Sequence, residues 1–291
     1  MVCAGPSGVW RGSLSADETV TALVRKLRPG SSVGQQRWAA GGQYQQLSTG
    51  VTMARILIAL SGSDHWTLAD GTRHKTGYWA EEFVVPHRTF RARGVAVQIA
   101  TPGGVRPTVD EASLTPEKNR GDQQKSADLR RYIDSVAAEL AQPMSLEDAQ
   151  QRMPDYDAVY IPGGHAPMED LPGCAPLGRI ITELHDSGRI VAAVCHGPAG
   201  LLSANRKDGT WLFEGRQLTA FTNDEERRAG LADRAPWLLE TRLRERGARF
   251  IAGPSWAPHV EADANLVTGQ NQASSQPMAD RTLAELHVGQ P

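Results

Sequence analysis

From Arg55 onward the chain alternates short runs rich in Val, Ile and Ala with longer amphipathic segments, and this alternation restricts the fold more than any other feature. The runs lie at 55–60, 95–100, 157–161, 189–194, 217–221, 249–252 and 265–268. Helical patterns fall at 81–93, 125–141, 177–187, 236–246 and 277–286. Strands separated by helices build parallel pairs with crossovers, so the expected fold class is α/β, a mainly parallel sheet sandwiched by helices. Runs such as IVAAV (190–194) are apolar at every position, as burial on both faces demands. Ligands of open sheets sit beyond the carboxyl ends of the strands, where the strand order reverses. The strand-to-helix junctions are therefore where chemistry is to be sought.

Residues 1–52 break the pattern. They are rich in Gly, Ser and Gln, carry five basic residues against two acidic ones, and show one short helical pattern at 16–27. A weakly ordered extension is expected there, followed by a single α/β domain over 53–291. Met53, directly before the first run, is the expected boundary and a candidate start of translation. The whole chain has a net charge of −2, so nothing global draws it to nucleic acid or to an anionic membrane. It has no apolar stretch near the roughly 20 residues that cross a bilayer and no secretory pattern at its start; a cytoplasmic protein is expected. Its cysteines, Cys3, Cys174 and Cys195, are too scattered for a disulfide framework, and its eight histidines form no HExxH pattern. Neither a metal nor a cofactor is expected.

Three junctions carry chemistry. In IVAAVCHGPAGLL (190–202) an apolar strand ends at Cys195 and runs through His196, Gly197 and Pro198 into a helix. A nucleophile on such a turn is lifted clear of the sheet, and Pro198 suits a first helical turn. A helix N-terminus facing the sulfur would favour thiolate and lower the thiol pKa, so Cys195 is the candidate nucleophile. In YIPGGHAPMED (160–170) the strand ends at Gly163 and Gly164, whose N–H groups can approach a substrate and form an oxyanion nest. In TGYWAEEFVVP (76–86) Glu81 and Glu82 stand at a helix start. Neighbours on a helix point about 100° apart, so only one can face the end of the sheet, and spacing alone does not choose.

Together these junctions resemble the ThiJ/PfpI superfamily, the class I glutamine amidotransferase-like proteins, and within it the heat-shock chaperone and glutathione-independent glyoxalase subfamily. The matching residues are TGYWAEEFVVP (76–86), ATPGG (100–104), YIPGGH (160–165), AVCHGPA (193–199), LTAFTNDEE (218–226) and LVTGQN (266–271). The resemblance spans nearly all of 53–287. It implies a flavodoxin-like sheet, a Glu beside the catalytic Cys that falls on Glu82, and His196 as the neighbouring His. It implies a third acid, placed on Glu226, with Asp224 and Glu225 left open. Asn223 stands where some relatives have Asp, and Ala166 where many have Gly.

The implied chemistry is that of glyoxalase III, which turns methylglyoxal into lactate without glutathione or another cofactor. Thiolate Cys195 would add to the aldehyde of a small 2-oxoaldehyde, and His196 would move a proton between the two carbons. A homodimer is implied as well. The competing readings are a deglycase, an amidase or peptidase using His259 and Glu261, a holdase chaperone, and a redox sensor built on Cys195. The tryptophans, Trp66, Trp211, Trp237 and Trp256 among them, are expected in the core, with Trp79 at a pocket mouth.

Overall fold

A computed structural model of the protein describes residues 53–287. The extension over 1–52, its helix at 16–27 and Cys3 lie outside the described residues. In chain order the strands are β1 (Arg55–Ala59), β2 (His65–Thr67), β3 (Arg73–Lys75), β4 (Ala96–Thr101), β5 (Met144–Ser145), β6 (Ala158–Ile161), β7 (Ile190–Val194), β8 (Gln217–Leu218), β9 (Arg249–Phe250), β10 (Val260–Asp263) and β11 (Leu266–Gly269). The α-helices are α1 (Ala80–Ala92), α2 (Gln123–Ser135), α3 (Ala137–Ala141), α4 (Leu146–Gln151), α5 (Pro167–Asp170), α6 (Ala175–Asp186), α7 (Asn223–Ala229), α8 (Leu239–Glu245) and α9 (Ser275–Glu285).

Seven strands form one sheet in the order β10-β11-β7-β6-β1-β4-β5. Every neighbouring pair is parallel except β10 with β11. The period of two along each strand sorts the core into two layers. Leu57, Ala59, Val159, Ile161, Val191 and Ala193 face one way, against Leu177, Ile180, Ile181 and Leu184 of α6. Those four recur at the spacing of one helical stripe. Ile56, Ile58, Ala158, Tyr160, Ala192 and Val194 face the other way, against Phe83, Val84 and Phe90 of α1 and Met278 and Leu283 of α9. Each such fully buried aliphatic side chain contributes about 1.5–3 kcal/mol, so the continuously apolar runs are the ones that must be covered twice.

The strand order reverses at β1: the chain moves outward through β4 and β5, then returns to the other side of β1 as β6 and continues to β7. The ends of β1, β6 and β7 thus meet at a switch point, the place where a doubly wound sheet opens a crevice.

Several expected elements differ. The run 217–221 gives only β8, which pairs with β9 in a separate two-stranded ribbon. Beyond it, the Thr219 N–H donates to Thr268 Oγ1 (2.9 Å) and the Phe221 N–H to the Cys195 carbonyl (2.9 Å), so this segment closes over the end of the sheet instead of joining it. The helix expected over 125–141 breaks at Val136, whose φ of −112° separates α2 from α3. Leu238 is extended, so α8 begins later than the pattern at 236–246 suggests. The segment carrying His259 and Glu261, which matched none of the runs, contains the edge strand β10. The hairpin of β2 and β3 has too short and polar a sequence, HWT and RHK, to stand out. The turn after Cys195 is a 3-10 helix, Gly197–Ser203.

Candidate active site

Cys195 follows β7 directly and adopts φ +60°, the left-handed region that a side chain rarely enters. Its backbone is held on both sides: its N–H donates to the Gly269 carbonyl (2.9 Å), and its carbonyl accepts from the Phe221 N–H (2.9 Å). This strained, doubly anchored turn lifts the sulfur off the sheet and into a buried position with 5 % exposure. The thiol is not depressed as a helix N-terminus would make it. Burial, and next the Glu82 carboxyl beside it, push it well above the ordinary thiol value, while the Gly164 N–H that faces it acts the other way.

Glu82 comes from the first turn of α1 and is wholly buried. Its neighbour Glu81 turns outward and pairs with Lys125 at 2.7 Å, which resolves the choice that spacing left open. Glu82 Oε2 accepts the Gly163 N–H at 2.8 Å. Burial pushes the Glu82 carboxyl up to about 8, against smaller opposing effects of the Cys195 thiol and the Gly163 N–H. At neutral pH the carboxyl is therefore protonated. Gly163 permits this approach: a Cβ there would stand 2.5 Å from the His196 nitrogen and 2.8 Å from Glu82 Oε2. Gly164 is left-handed, φ +91°, and a Cβ on it would stand 2.3 Å from the Gly77 carbonyl oxygen.

His196 lies on the other side of the sulfur. Its Nδ1 is 3.4 Å from Cys195 Sγ, and its Nε2 is 2.7 Å from Glu226 Oε2. The second oxygen of Glu226 is 2.9 Å from His165 Nε2. Burial alone would raise the Glu226 carboxyl, but His196 and His165 outweigh it and hold the group below the usual carboxylate range. Burial, and next the His165 ring, lower His196. The consistent state is a Glu226 carboxylate that accepts one N–H from each ring, which leaves Nδ1 of a neutral His196 unprotonated toward the thiol. His165, His196 and Glu226 also bring ligand atoms within 4.8 Å of one another. Its members stand 30 or more positions apart, so no local motif marks the three as one cluster. As arranged, both carboxylate oxygens already hold ring N–H groups, so a cation would have to displace both protons.

A cavity of about 260 Å³ opens on Cys195 and His196 and is lined further by Trp79, Gly164, His165, Phe221, Leu231 and Trp256. The two other candidate acids are occupied elsewhere. Glu225 forms a capping box with Thr222 at the start of α7, and Asp224 pairs with Arg228 at 2.6 Å. His259 pairs with Glu261 at 3.0 Å, and neither borders the cavity. Cys174 caps α6 away from the site, its thiol raised by burial. Two residues at the site had no assigned part: His165, although YIPGGH was noted as a motif, and Trp256, which was expected in the core.

Comparison with known proteins agrees with this geometry. The ThiJ/PfpI family-like profile matches residues 74–222. Glyoxalase 3 of Candida albicans is 31% identical over 241 residues, 80% of this chain and 98% of that protein. The glutathione-independent glyoxalase of Saccharomyces cerevisiae matches with the same identity and coverage. Among solved structures, glyoxalase III of Candida albicans superposes with a TM-score of 0.66 at 26% identity, over 80% of this chain and 98% of that one. A sheet reversed at β1, a left-handed Cys195 at the end of β7 and sequence identity that runs through both lead to one conclusion: the chain belongs to the ThiJ/PfpI family.

Proposed function

We propose that the protein is a glutathione-independent glyoxalase that converts a 2-oxoaldehyde, methylglyoxal in the simplest case, to the corresponding 2-hydroxy acid through Cys195. The observation that carries this reading is the placement of one buried thiol between a protonated carboxyl, Glu82, and an unprotonated ring nitrogen, His196 Nδ1. The relatives named as glyoxalases, similar over four fifths of the chain, support it.

The Cys195 thiol gives its proton to His196 Nδ1 as the sulfur adds to the aldehyde carbon. Glu82, as a protonated acid, donates a hydrogen bond to the sulfur, and the Gly164 N–H favours the negative oxygen that forms, since the Gly163 N–H expected to share that part is held by Glu82 Oε2. That oxygen takes the proton back from His196, which leaves a hemithioacetal. His196 then removes the hydrogen on the former aldehyde carbon as a proton and returns it to the adjacent ketone carbon through an enediol, while the hydroxyl proton of the first carbon passes to the ketone oxygen. One carbon is oxidised to a thioester and the other reduced to an alcohol, so no outside redox agent is needed. Water releases the hydroxy acid and restores the thiol. Glu226 holds His196 in the tautomer this sequence requires.

The test is glutathione-free conversion of methylglyoxal to lactate by the purified protein beside Cys195→Ala and Glu82→Gln. Lactate formed by the parent and abolished in Cys195→Ala is expected. A folded parent that forms none overturns the reading. An amidase using His259 and Glu261 is disfavoured because neither residue borders the cavity on Cys195 and the ring beside the sulfur is His196. A holdase surface is disfavoured because, among the described residues, the exposed large apolar side chains are only Met53, Val105 and Ile251. A redox sensor is disfavoured because the thiol is pushed above its ordinary value and does not rest as the thiolate that oxidation needs. Three further parts belong to this proposal. Residues 53–291 act as one domain, supported by a single sheet that draws strands from Arg55 to Gly269. The location is cytoplasmic, supported by the free thiols Cys174 and Cys195. The protein is a homodimer, as the family resemblance implies.

A further inference from the structure

The cavity over Cys195 is much larger than a three-carbon aldehyde requires. One water needs about 10–15 Å³ on this measure, whereas the cavity measures about 260 Å³. Beyond the reacting groups its wall is mostly apolar: Trp79, Phe221, Ala229, Leu231 and Trp256. Asp110 also borders it, but its carboxylate already accepts the Thr76 hydroxyl (2.7 Å) and the Ala112 N–H (2.9 Å). Lys118 stands at the exposed rim. His74 and Gln272 border it as well, and among the described residues no Lys or Arg other than Lys118 lines the cavity to receive an anionic substrate tail.

Trp256 supplies an independent observation. It sits at φ +64°, a conformation that is a true outlier for so bulky a residue. The fold holds it there with a buried carboxylate: Glu225 Oε1 accepts the Trp256 N–H (2.9 Å), Asn271 Nδ2 (2.8 Å) and Gln270 Nε2 (3.1 Å). The indole meets Phe221 edge to face at 5.6 Å between centroids, and Phe221 in turn lies 4.4 Å from the His196 ring. A side chain that only filled the core would not need a strained backbone pinned by a buried acid. The strain sets one aromatic wall one ring away from the reacting imidazole.

Resting on the glyoxalase reading, we propose that the cavity is a binding subsite for the apolar R group of a 2-oxoaldehyde R–CO–CHO, with R branched alkyl or aryl, and that Trp256 determines this specificity. The reaction is the one already balanced, R–CO–CHO and water giving R–CHOH–COOH. Its product is a bulky 2-hydroxy acid, and any preceding reaction must supply the matching aldehyde.

The experiment compares initial-rate kcat/KM for methylglyoxal, 4-methyl-2-oxopentanal and phenylglyoxal without glutathione, in assays short enough to precede guanidinium modification by the last. 4-Methyl-2-oxopentanal keeps the carbonyl electronics of methylglyoxal while adding an isobutyl group. The parent is expected to favour both larger aldehydes by about tenfold or more, chiefly through KM. Trp256→Ala should cut that ratio at least fivefold, and Trp256→Phe should keep most of it; thermal melts show that each variant is folded. Equal or lower kcat/KM for the larger aldehydes, with methylglyoxal turned over, overturns this inference alone. A ratio unchanged in folded Trp256→Ala also overturns it. Turnover of none of the three overturns the glyoxalase reading itself.

Discussion

Glu82 and Glu226 are both almost fully buried, and both act within one residue of the same thiol, yet they are driven in opposite directions. Around Glu82 there is one backbone N–H and a neutral thiol, nothing that carries positive charge, so burial prevails and the acid keeps its proton at neutral pH. Around Glu226 two imidazoles each present a ring nitrogen, one to each oxygen, and the desolvation cost is overruled. Burial alone therefore does not decide the charge of a carboxyl; its hydrogen-bond partners do. In the proposed reaction the pair would divide the chemistry as environment-split carboxyls elsewhere do, one acid that can donate and one anion that orients a base.

The largest effect expected from disturbing this contrast is on turnover. In Glu226→Gln one oxygen becomes an NH₂ group, which opposes the N–H of either His165 or His196. The conflict is relieved when the opposed ring exchanges its tautomer, and where that ring is His196, Nδ1 then turns a proton toward the sulfur and cannot accept one. Loss of that base should lower kcat by about 10²–10⁴-fold with a small change in KM, measured by steady-state kinetics. Parental kcat in the Gln variant would remove Glu226 from its assigned part.

The next effect is on stability and runs through pH. The native Glu82 holds its proton up to about 8, against 4.5 for the ordinary group, so the folded state binds that proton more tightly than the unfolded chain. Stability from this group is complete below about 4.5 and falls as pH rises toward 8. Glu226, depressed instead, contributes stability above the ordinary carboxylate range and loses it on acidification. Glu82→Gln carries no such proton. Its stability should exceed the parent's increasingly from pH 5 to pH 8, by on the order of a few kcal/mol at the upper end. Urea midpoints at several pH values measure this. Parallel profiles for the two proteins would show that Glu82 ionises normally.

The contrast was only partly legible in the chain. The Cys195 junction was, because a run apolar at every position that ends in Cys-His-Gly-Pro admits few structures, and five of the seven runs do lie in the parallel sheet. The segment 217–221 was misjudged because its apolar residues serve to close over Cys195 and not to pair in the sheet, and local pattern does not separate those uses. His165 and Trp256 escaped for a related reason. His165 takes its meaning from Glu226, 61 positions away, and Trp256 from the buried Glu225, 31 positions away. Long-range hydrogen bonds leave no periodic trace in the sequence.

Glu81 and Glu82 show the same limit at its narrowest, two identical residues separated by a turn of about 100°. The Lys125–Glu81 pair at 2.7 Å is partly open to solvent, so it gains little Coulomb energy and is screened by salt. Lys125→Ala should therefore cost less than about 1 kcal/mol, the smallest effect of the series. That loss should shrink further as ionic strength rises past 0.1 M, where the screening length is about 10 Å. The pH profile of stability assigned to Glu82 should stay in place in this variant, because the neighbouring charge of Glu81 is the smallest of the influences on that carboxyl. A displaced profile would mean that the charge on the outer face of α1 reaches the inner one, and that the isolation of Glu82 from solvent counts for less than its partners do.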